Sequence, residues 1–538
     1  MRFLSVNVDS FLIELQSLEE TIALYKALQH QSFVGIEDCI PAAKTILVFF
    51  NELETNFHHL VTLIGQLSID VNDLQQNKTV IIPISYQGED LVPVAELQGM
   101  TVFEVINKHR KSVWNVAFIG FAPGFAYLTS PDRPFTDIPR LKTPRKKIPA
   151  GSLGLAGQYS GIYPKDSPGG WQLIGSTAEK MWDLERENPA LLLPGMSVQF
   201  EDVTHKPVTV NVSHIVHTHR DQYELIPSNE KSTAALLKIT VPSLQMLIQD
   251  EGRFKHTNIG VGTAGAMDQS SMHAANRLVG NSTDTAVIEI LNGGFKAKIL
   301  NATVIAVTGA TAEIQVIFNN GQQAIFSLYQ AIALECGDEF HIKAPTAGLR
   351  NYVAVRGGLD VPPILNSQSF DSLAVLGPEP LKVGDVLHQA KHQANRAISP
   401  ISLYESAKFH LPQIGDIVDI DVMMGPRTDW FEENSIDEFF QQTWQVTNES
   451  NRVGLRLLGE TPLVRKITHE LESEGTAIGA LQIPPSGQPV LFMNDHPLTG
   501  GYPVLASVAK YHWDLIAQIP AGCFIQFRKV ADLIDIES

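Results

Sequence analysis

Residues 143–177, TPRKKIPAGSLGLAGQYSGIYPKDSPGGWQLIGST, carry eleven Gly or Pro. That density rules out a helix and a regular central strand over the stretch. Leu153, Leu155, Ile162, Trp171, Leu173 and Ile174 interleave with the breakers, so a solvated linker does not describe it either. What is left is a set of short strands and tight turns, in which Gly leaves backbone amides unshielded by a Cβ. Arg140, Lys142, Arg145, Lys146 and Lys147 gather at its start in a chain of net charge −18. The stretch reads equally as a rigid wall for a small anion and as barrel turns with a solvated basic edge.

At 538 residues the chain has material for about three or four domains. The acidic balance argues against nucleic acid as a general partner. Cys39, Cys336 and Cys523 lie far apart, with no CxxC and no His cluster at ligand spacing, which predicts reduced thiols, no metal site and a cytoplasmic location. No run of about 18 apolar residues occurs and the opening MRFLSVNVDSFLIEL lacks a cleavage site, so no membrane partner is expected.

Residues 1–80 alternate strand and helix patterns: a hairpin over Leu4–Leu15, helices at Leu18–Gln29 and Asn56–Leu67, and a buried strand at Lys44–Phe50. With a closing strand at Val80–Tyr86 this predicts a small ferredoxin-like α+β domain. Residues 87–112 read as helical, Val113–Ile119 as a strand leading into GFAPGFAYL, and Leu191–Phe200 as a turn and strand. Residues 227–237 are polar and then bland, as a linker would be. Beyond them short apolar runs with frequent Gly predict barrels or sandwiches, interrupted by one helix at Ser270–Val279 that Asp268 is placed to cap.

The Gly-rich stretch recurs. Pro168-Gly169-Gly170-Trp171 followed by Pro194–Phe200 is answered by Thr499-Gly500-Gly501-Tyr502 followed by Ala521–Phe527, and Ala150-Gly151-Ser152 by Glu474-Gly475-Thr476. Two such copies predict related barrels with a cleft between them. The polar residues of the last third are Asn451, Arg452 and Arg456 in SNRVGLRLLG, and Asn494, Asp495 and His496 in FMNDHPLTGGYP. An acid and a histidine between a strand and a Gly-Gly turn suit proton transfer, and arginines at i and i+4 suit a carboxylate or phosphate. A loop salt bridge between Asp495 and Arg452 or Arg456 accounts for the same residues. Glu289, in VIEILNGG, is a lone strand acid. No P-loop, GxSxG elbow, HExxH or Met-Lys-Met biotin site is present, so no covalently bound biotin is expected.

The stretch at 143–177 with GFAPGFAYL before it closely resembles the family of B-type 5-oxoprolinase subunits, also described as Kip inhibitor (KipI) or allophanate hydrolase subunit 1. GVGTAGAMDQSSMHAANRLVGN, VRGGLDVPPILNS, SNRVGLRLLGE and TGGYPVLASVAK resemble the C-type subunits of the same enzyme, KipA or allophanate hydrolase subunit 2. The chain therefore looks like a fusion of the two. The resemblance implies a mainly β, α+β protein: the ferredoxin-like domain at 1–85, a cyclophilin-like barrel at 86–226, and two more barrels over 238–538 meeting near residue 400. It also implies opening of 5-oxo-L-proline to L-glutamate at the expense of ATP, with Mg as its companion ion and an A-type subunit as partner; a homo-oligomer is left open. In these terms the candidate catalytic residues are Asp495, His496, Arg452, Arg456 and Asn451. The candidate substrate- or phosphate-binding residues are Arg145, Lys147, Gly151, Ser152, Tyr163, Gly169 and Gly170 in the first copy and Thr499, Gly500, Gly501 and Tyr502 in the second. Related sequences read Asp-Arg where this one has Asp495-His496. Two alternatives stand beside this reading: the carboxyltransferase module of a urea-carboxylase-like, biotin-dependent system, and a Kip-type regulator of a sensor histidine kinase.

Overall fold

The computed structural model describes every residue except Ser32, 70–77, Lys142, Pro144, 206–233, 391–396, 399–404 and Ser538. The chain is mostly β, as expected, and the internal repeat is visible as topology. The first barrel orders its strands Gln172–Ser176, Ser152–Ala156, Tyr159–Ile162, Ala126–Thr129, Trp114–Ile119, Ser197–Asp202 and Thr79–Ile84. The last barrel repeats that order with Val504–Val508, Ala480–Gln482, Val490–Phe492, Gly454–Leu458, Trp444–Val446, Phe524–Ala531 and Ile417–Met424, and is closed. In each, the first strand in sequence pairs in parallel with the last. In the first barrel a bridge between Ser85 and Ser176 joins the two ends. Even the entry to the sheet is copied: Trp114 Nε1 donates to His109 O at 2.9 Å, and Trp444 Nε1 donates to Phe439 O at 3.0 Å. An indole whose N–H is satisfied by the preceding helix can be buried whole.

Each barrel also carries a two-stranded hairpin outside its main sheet. Ser167–Gly169 pairs with Arg145–Ile148, and Thr499–Gly500 pairs with Glu474–Gly475. These are the Gly-Gly segments that the sequence singled out. Between the two barrels, residues 235–388 form a six-stranded and a five-stranded sheet around one core that includes Leu237, Ile248, Phe295, Val307, Phe340 and Val353. Helix Gln269–Val279 packs there, and Asp268 caps it by accepting from Ser271 N, as read from the sequence.

Three boundaries differ from expectation. The strand at Thr79–Ile84 does not close the N-terminal domain; Ile82 and Ile84 are buried in the first barrel's core and the strand pairs with Ser197–Asp202. The N-terminal sheet runs Ile36–Pro41, Thr45–Phe50, Ser10–Glu14, Arg2–Asn7, and its free edge is taken by the chain's last strand, Asp535–Glu537. Arg2 fixes that strand through Asp535, 533 positions away. The helical region at 87–112 is two helices, Leu91–Leu97 and Val102–Lys111, divided by Gly99 at φ +61° and restarted by a Thr101–Glu104 capping box. The expected linker lies outside the described residues up to 233, and Ala235–Val241 is already a strand. The boundary near 400 falls at segments that are likewise outside the described residues.

His109 shows what the barrel interior does to a titratable group. Its ring is fully buried, with Nδ1 2.8 Å from the Tyr86 hydroxyl and Nε2 2.9 Å from Ser160 Oγ. Burial lowers its pKa to about 3. The unfolded imidazole takes up its proton near pH 6.5, the folded one only near pH 3, so His109 subtracts stability as pH falls through that window. The slope is at most about 1.4 kcal/mol per pH unit. His109→Gln is expected to flatten the loss of urea stability between about pH 6 and 4 relative to wild type; parallel pH profiles would contradict this.

Candidate functional site

Asp495 and Arg452 meet, but not in a solvent-facing pocket. Arg452 Nε and Nη2 each donate to the Asp495 carboxylate at 2.9 Å, and Ser372 adds its backbone N–H at 2.9 Å and its hydroxyl at 2.6 Å. The same guanidinium donates to Glu289 Oε1 at 2.5 Å and to Gly265 O at 2.6 Å. Glu289 in turn accepts from Tyr352 OH at 3.0 Å and Met267 N at 2.9 Å, and lies 3.7 Å from Arg350. All four charged groups are less than 5 % exposed. Burial works against the charge on Arg452, yet Asp495 and Glu289 hold its pKa above the ordinary guanidinium value. The network ties the last barrel to the middle sheets, and every oxygen of Asp495 is spoken for. Neighbouring Asp371 is pushed up to about 7 by burial and then by Asp495. The salt-bridge reading of this pair is the one the geometry fits.

The other candidates in that region separate. Arg456 stands on an exposed strand position, while Arg452 points inward from the turn before it, so the i, i+4 grip does not form. Gly454–Leu458 is a strand, in which residues four apart do not sit side by side as they do on a helix. Asn451 is a turn former: its Oδ1 accepts from Val453 N at 2.8 Å. His496 is half-buried, stacked on Phe492, with Nδ1 donating to Pro497 O at 2.8 Å.

The basic cluster is also divided. Arg145 is held by Asp90 at 2.8 Å and Glu89 at 2.8 Å, and Lys147 by Asp166 at 2.7 Å. The Gly151 amide donates to Tyr163 O at 2.7 Å and is not open to a ligand; a Cβ there would lie 2.2 Å from Thr177 O. Ser152 is buried, and its carbonyl accepts from Tyr163 N. Tyr163 is buried among Phe121, Phe125 and the Gly169 turn. Tyr502 is 44 % exposed, and its carbonyl accepts from Gln482 Nε2 at 3.0 Å.

What the fold does bring together is the two Gly-Gly turns. Leu141 N donates to Gly170 O at 2.7 Å, and a Cβ on Gly170 would sit 3.7 Å from Arg140 Cβ. A Cβ on Gly501 would sit 3.4 Å from Leu471 O and 3.9 Å from Arg140 Nη1. Arg140 therefore stands between Gly169-Gly170 of the first barrel and Gly500-Gly501 of the last. Thr499 closes the junction: its Oγ1 accepts from Phe121 N at 3.2 Å. Phe121 holds φ +66°, a strained value for an aromatic residue. Arg140 opens onto a cleft of about 1140 Å³ whose walls come from the N-terminal domain (Lys44), the first barrel (Arg133, Tyr159) and the last barrel (Glu470, Glu472). Cations, acids and aromatic edges on three walls suit a small ligand that carries both negative charge and N–H groups. Arg140 is visible in the sequence as part of the basic cluster; what singles it out is that Arg145 and Lys147 are held by acids at 2.7–2.8 Å, whereas Arg140 meets, among the described residues, only the exposed Glu470 at 3.9 Å. Ser473 and Lys44, which also line the cleft, carry no local signal.

Residues 259–529 match the family model described as carboxyltransferase domain, subdomain A and B, and residues 1–192 match carboxyltransferase domain, subdomain C and D. The chain is 33% identical over 297 residues to the C-type 5-oxoprolinase subunit of Escherichia coli (strain K12), a match covering 54% of this chain and 90% of that protein. It is 35% identical over 195 residues to the B-type 5-oxoprolinase subunit of Bacillus subtilis (strain 168), covering 33% of this chain and 80% of that one. Urea amidolyase of Saccharomyces cerevisiae is 33% identical over 312 residues, which is 54% of this chain but 16% of that protein. The crystal structure of TTHA0988 aligns over 97% of this chain and 100% of its own, with a TM-score of 0.80 and 28% identity.

Proposed function

The chain belongs to the carboxyltransferase domain family, with subdomains C–D and A–B fused in one polypeptide, and on that premise we propose that it is the B-plus-C component of an ATP-dependent 5-oxoprolinase, active with an A-type subunit. The observation that carries the reading is the meeting of both Gly-Gly turns on Arg140, which supports one ligand position shared by the two halves that relatives hold as separate subunits.

5-Oxo-L-proline offers a carboxylate, a lactam N–H and a poorly electrophilic carbonyl. ATP, with its Mg ion, is the co-substrate: the lactam oxygen attacks the γ-phosphorus and ADP leaves. Water then adds to the activated carbon, the C–N bond breaks with a proton passing to nitrogen, and a second water hydrolyses the resulting acyl phosphate to release phosphate and glutamate. For such a step the protein's part is to hold the reactant and stabilise charge. Arg140 takes the substrate carboxylate in a bidentate pair. Asp495 is a positioning residue, since it holds Arg452 rather than substrate.

The test is a coupled assay. The purified chain mixed with an A-type subunit, 5-oxoproline and ATP is expected to release glutamate and ADP in equal amounts. The similarity to urea amidolyase favours one other reading, a carboxyltransferase acting with a biotinyl carrier. No glutamate with any A-type partner, together with carboxylated product when a biotinyl carrier is added, would replace the first reading by the second.

A further inference from the structure

Among the described residues, two of the three Lys and Arg side chains that line the cleft, Arg140 and Lys44, are already met from within the chain. Segment 467–472 crosses between the barrels and is pinned at both ends: Lys466 N donates to Trp430 O at 2.8 Å, and Ala43 N donates to Ser473 O at 3.1 Å. Between the pins, Glu470 faces Arg140 at 3.9 Å, and Glu472 faces Lys44 at 3.0 Å. The segment has no regular secondary structure, and the Glu470 and Glu472 side chains are 75% and 46% exposed. Ion pairs this open are weak and easily exchanged. A second cavity, of about 600 Å³, lies along the same segment and is lined by Arg427, Asp429 and Trp430 as well as by 469–474. The segment thus borders both cavities.

We propose that 467–472 is a displaceable strap whose Glu470 and Glu472 stand in for a ligand bearing two anionic groups, carboxylate or phosphate, which binds Arg140 and Lys44 by exchanging with them. The two glutamates are two residues apart, so their Cα atoms lie within about 7 Å of each other. A ligand that replaces both is accordingly a small molecule with closely set charges, such as a short dicarboxylate or a diphosphate. Arg140 ends on the new anion between the two Gly-Gly turns, Lys44 holds the other, and the strap moves toward the second cavity. The inference rests on the cleft being the ligand site; it does not depend on which reaction follows.

Calorimetric titration of the full chain at low salt with glutarate, with pyrophosphate and with neutral glutaramide tests it. One of the dianions is expected to bind, and which one tells carboxylate from phosphate; glutaramide is not. The Glu470→Gln/Glu472→Gln double variant is expected to bind that dianion about tenfold more tightly, the scale of two exposed ion pairs released. Arg140→Gln and Lys44→Gln are each expected to weaken it about tenfold while circular dichroism stays that of wild type. No binding of either dianion to wild type and double variant, or a double variant that binds no more tightly, would overturn the strap. Because neither ATP nor an A-type subunit is present, absence of glutamate formation in the coupled assay leaves this result standing, and failure here leaves that assay to be judged alone.

Discussion

Replacing Arg452 by Met is expected to destabilise the junction of the last barrel and the middle sheets by about 3–5 kcal/mol, the usual cost of stranding a buried charge. The guanidinium makes four short hydrogen bonds, to both oxygens of Asp495, to Glu289 and to Gly265 O. Without it two carboxylates remain buried, with Arg350 at 3.7 Å from Glu289 and, among the described residues, only Ser372 donating to the Asp495 carboxylate. Asp495→Asn is milder because the amide keeps the shape, but it still removes the charge that Arg452 pairs with, for an expected loss of about 2 kcal/mol. Both substitutions should lower the melting temperature and quicken hydrogen exchange in Gly454–Leu458 and Val287–Leu291, the strands on either side of the network. Wild-type melting in either variant, with activity alone lost, would return Asp495 to the groups that act on substrate.

The second large effect is on turnover. Arg140→Ala is expected to lower kcat/KM for 5-oxoproline by about 100-fold, the scale of a charge-assisted pair to a substrate carboxylate. Arg145→Ala in the same assay should cost far less turnover, because Arg145 is engaged by Asp90 and Glu89. The comparison separates a positional role from general positive charge: both variants remove one cation from the same basic cluster, and only one of them lies between the Gly-Gly turns. Equal losses would mean that the cluster acts through its field alone.

Much of this architecture is legible because its signals are local. The Gly-Gly-aromatic segments announce the repeat, since a turn of that kind needs Gly wherever another backbone comes within van der Waals contact, as Leu471 O does at Gly501. Asp268 is readable as a cap because the amide it bonds is three residues away. What stays hidden depends on distant partners. Whether Arg145 is available to a ligand is decided by Asp90, 55 positions upstream of it. The duty of Glu289 is decided by Arg452, 163 positions downstream. The strand Thr79–Ile84 has the alternation of an edge strand for either neighbour, and only tertiary pairing assigns it to the first barrel, leaving the N-terminal sheet to be completed by Asp535–Glu537. The i, i+4 arginine pair misleads for a related reason: the spacing suits a helix's period, whereas the chain forms a turn and a strand there.

That two barrels of one chain build a single ligand position around Arg140 can be examined most directly in a crystal structure of the chain grown with 5-oxo-L-proline. The expected density places the ligand's carboxylate on the Arg140 guanidinium, with Gly169-Gly170 on one side and Gly500-Gly501 on the other and Glu470 drawn away. Ligand held by the residues of one barrel only, with Arg140 still turned to Glu470, would contradict it.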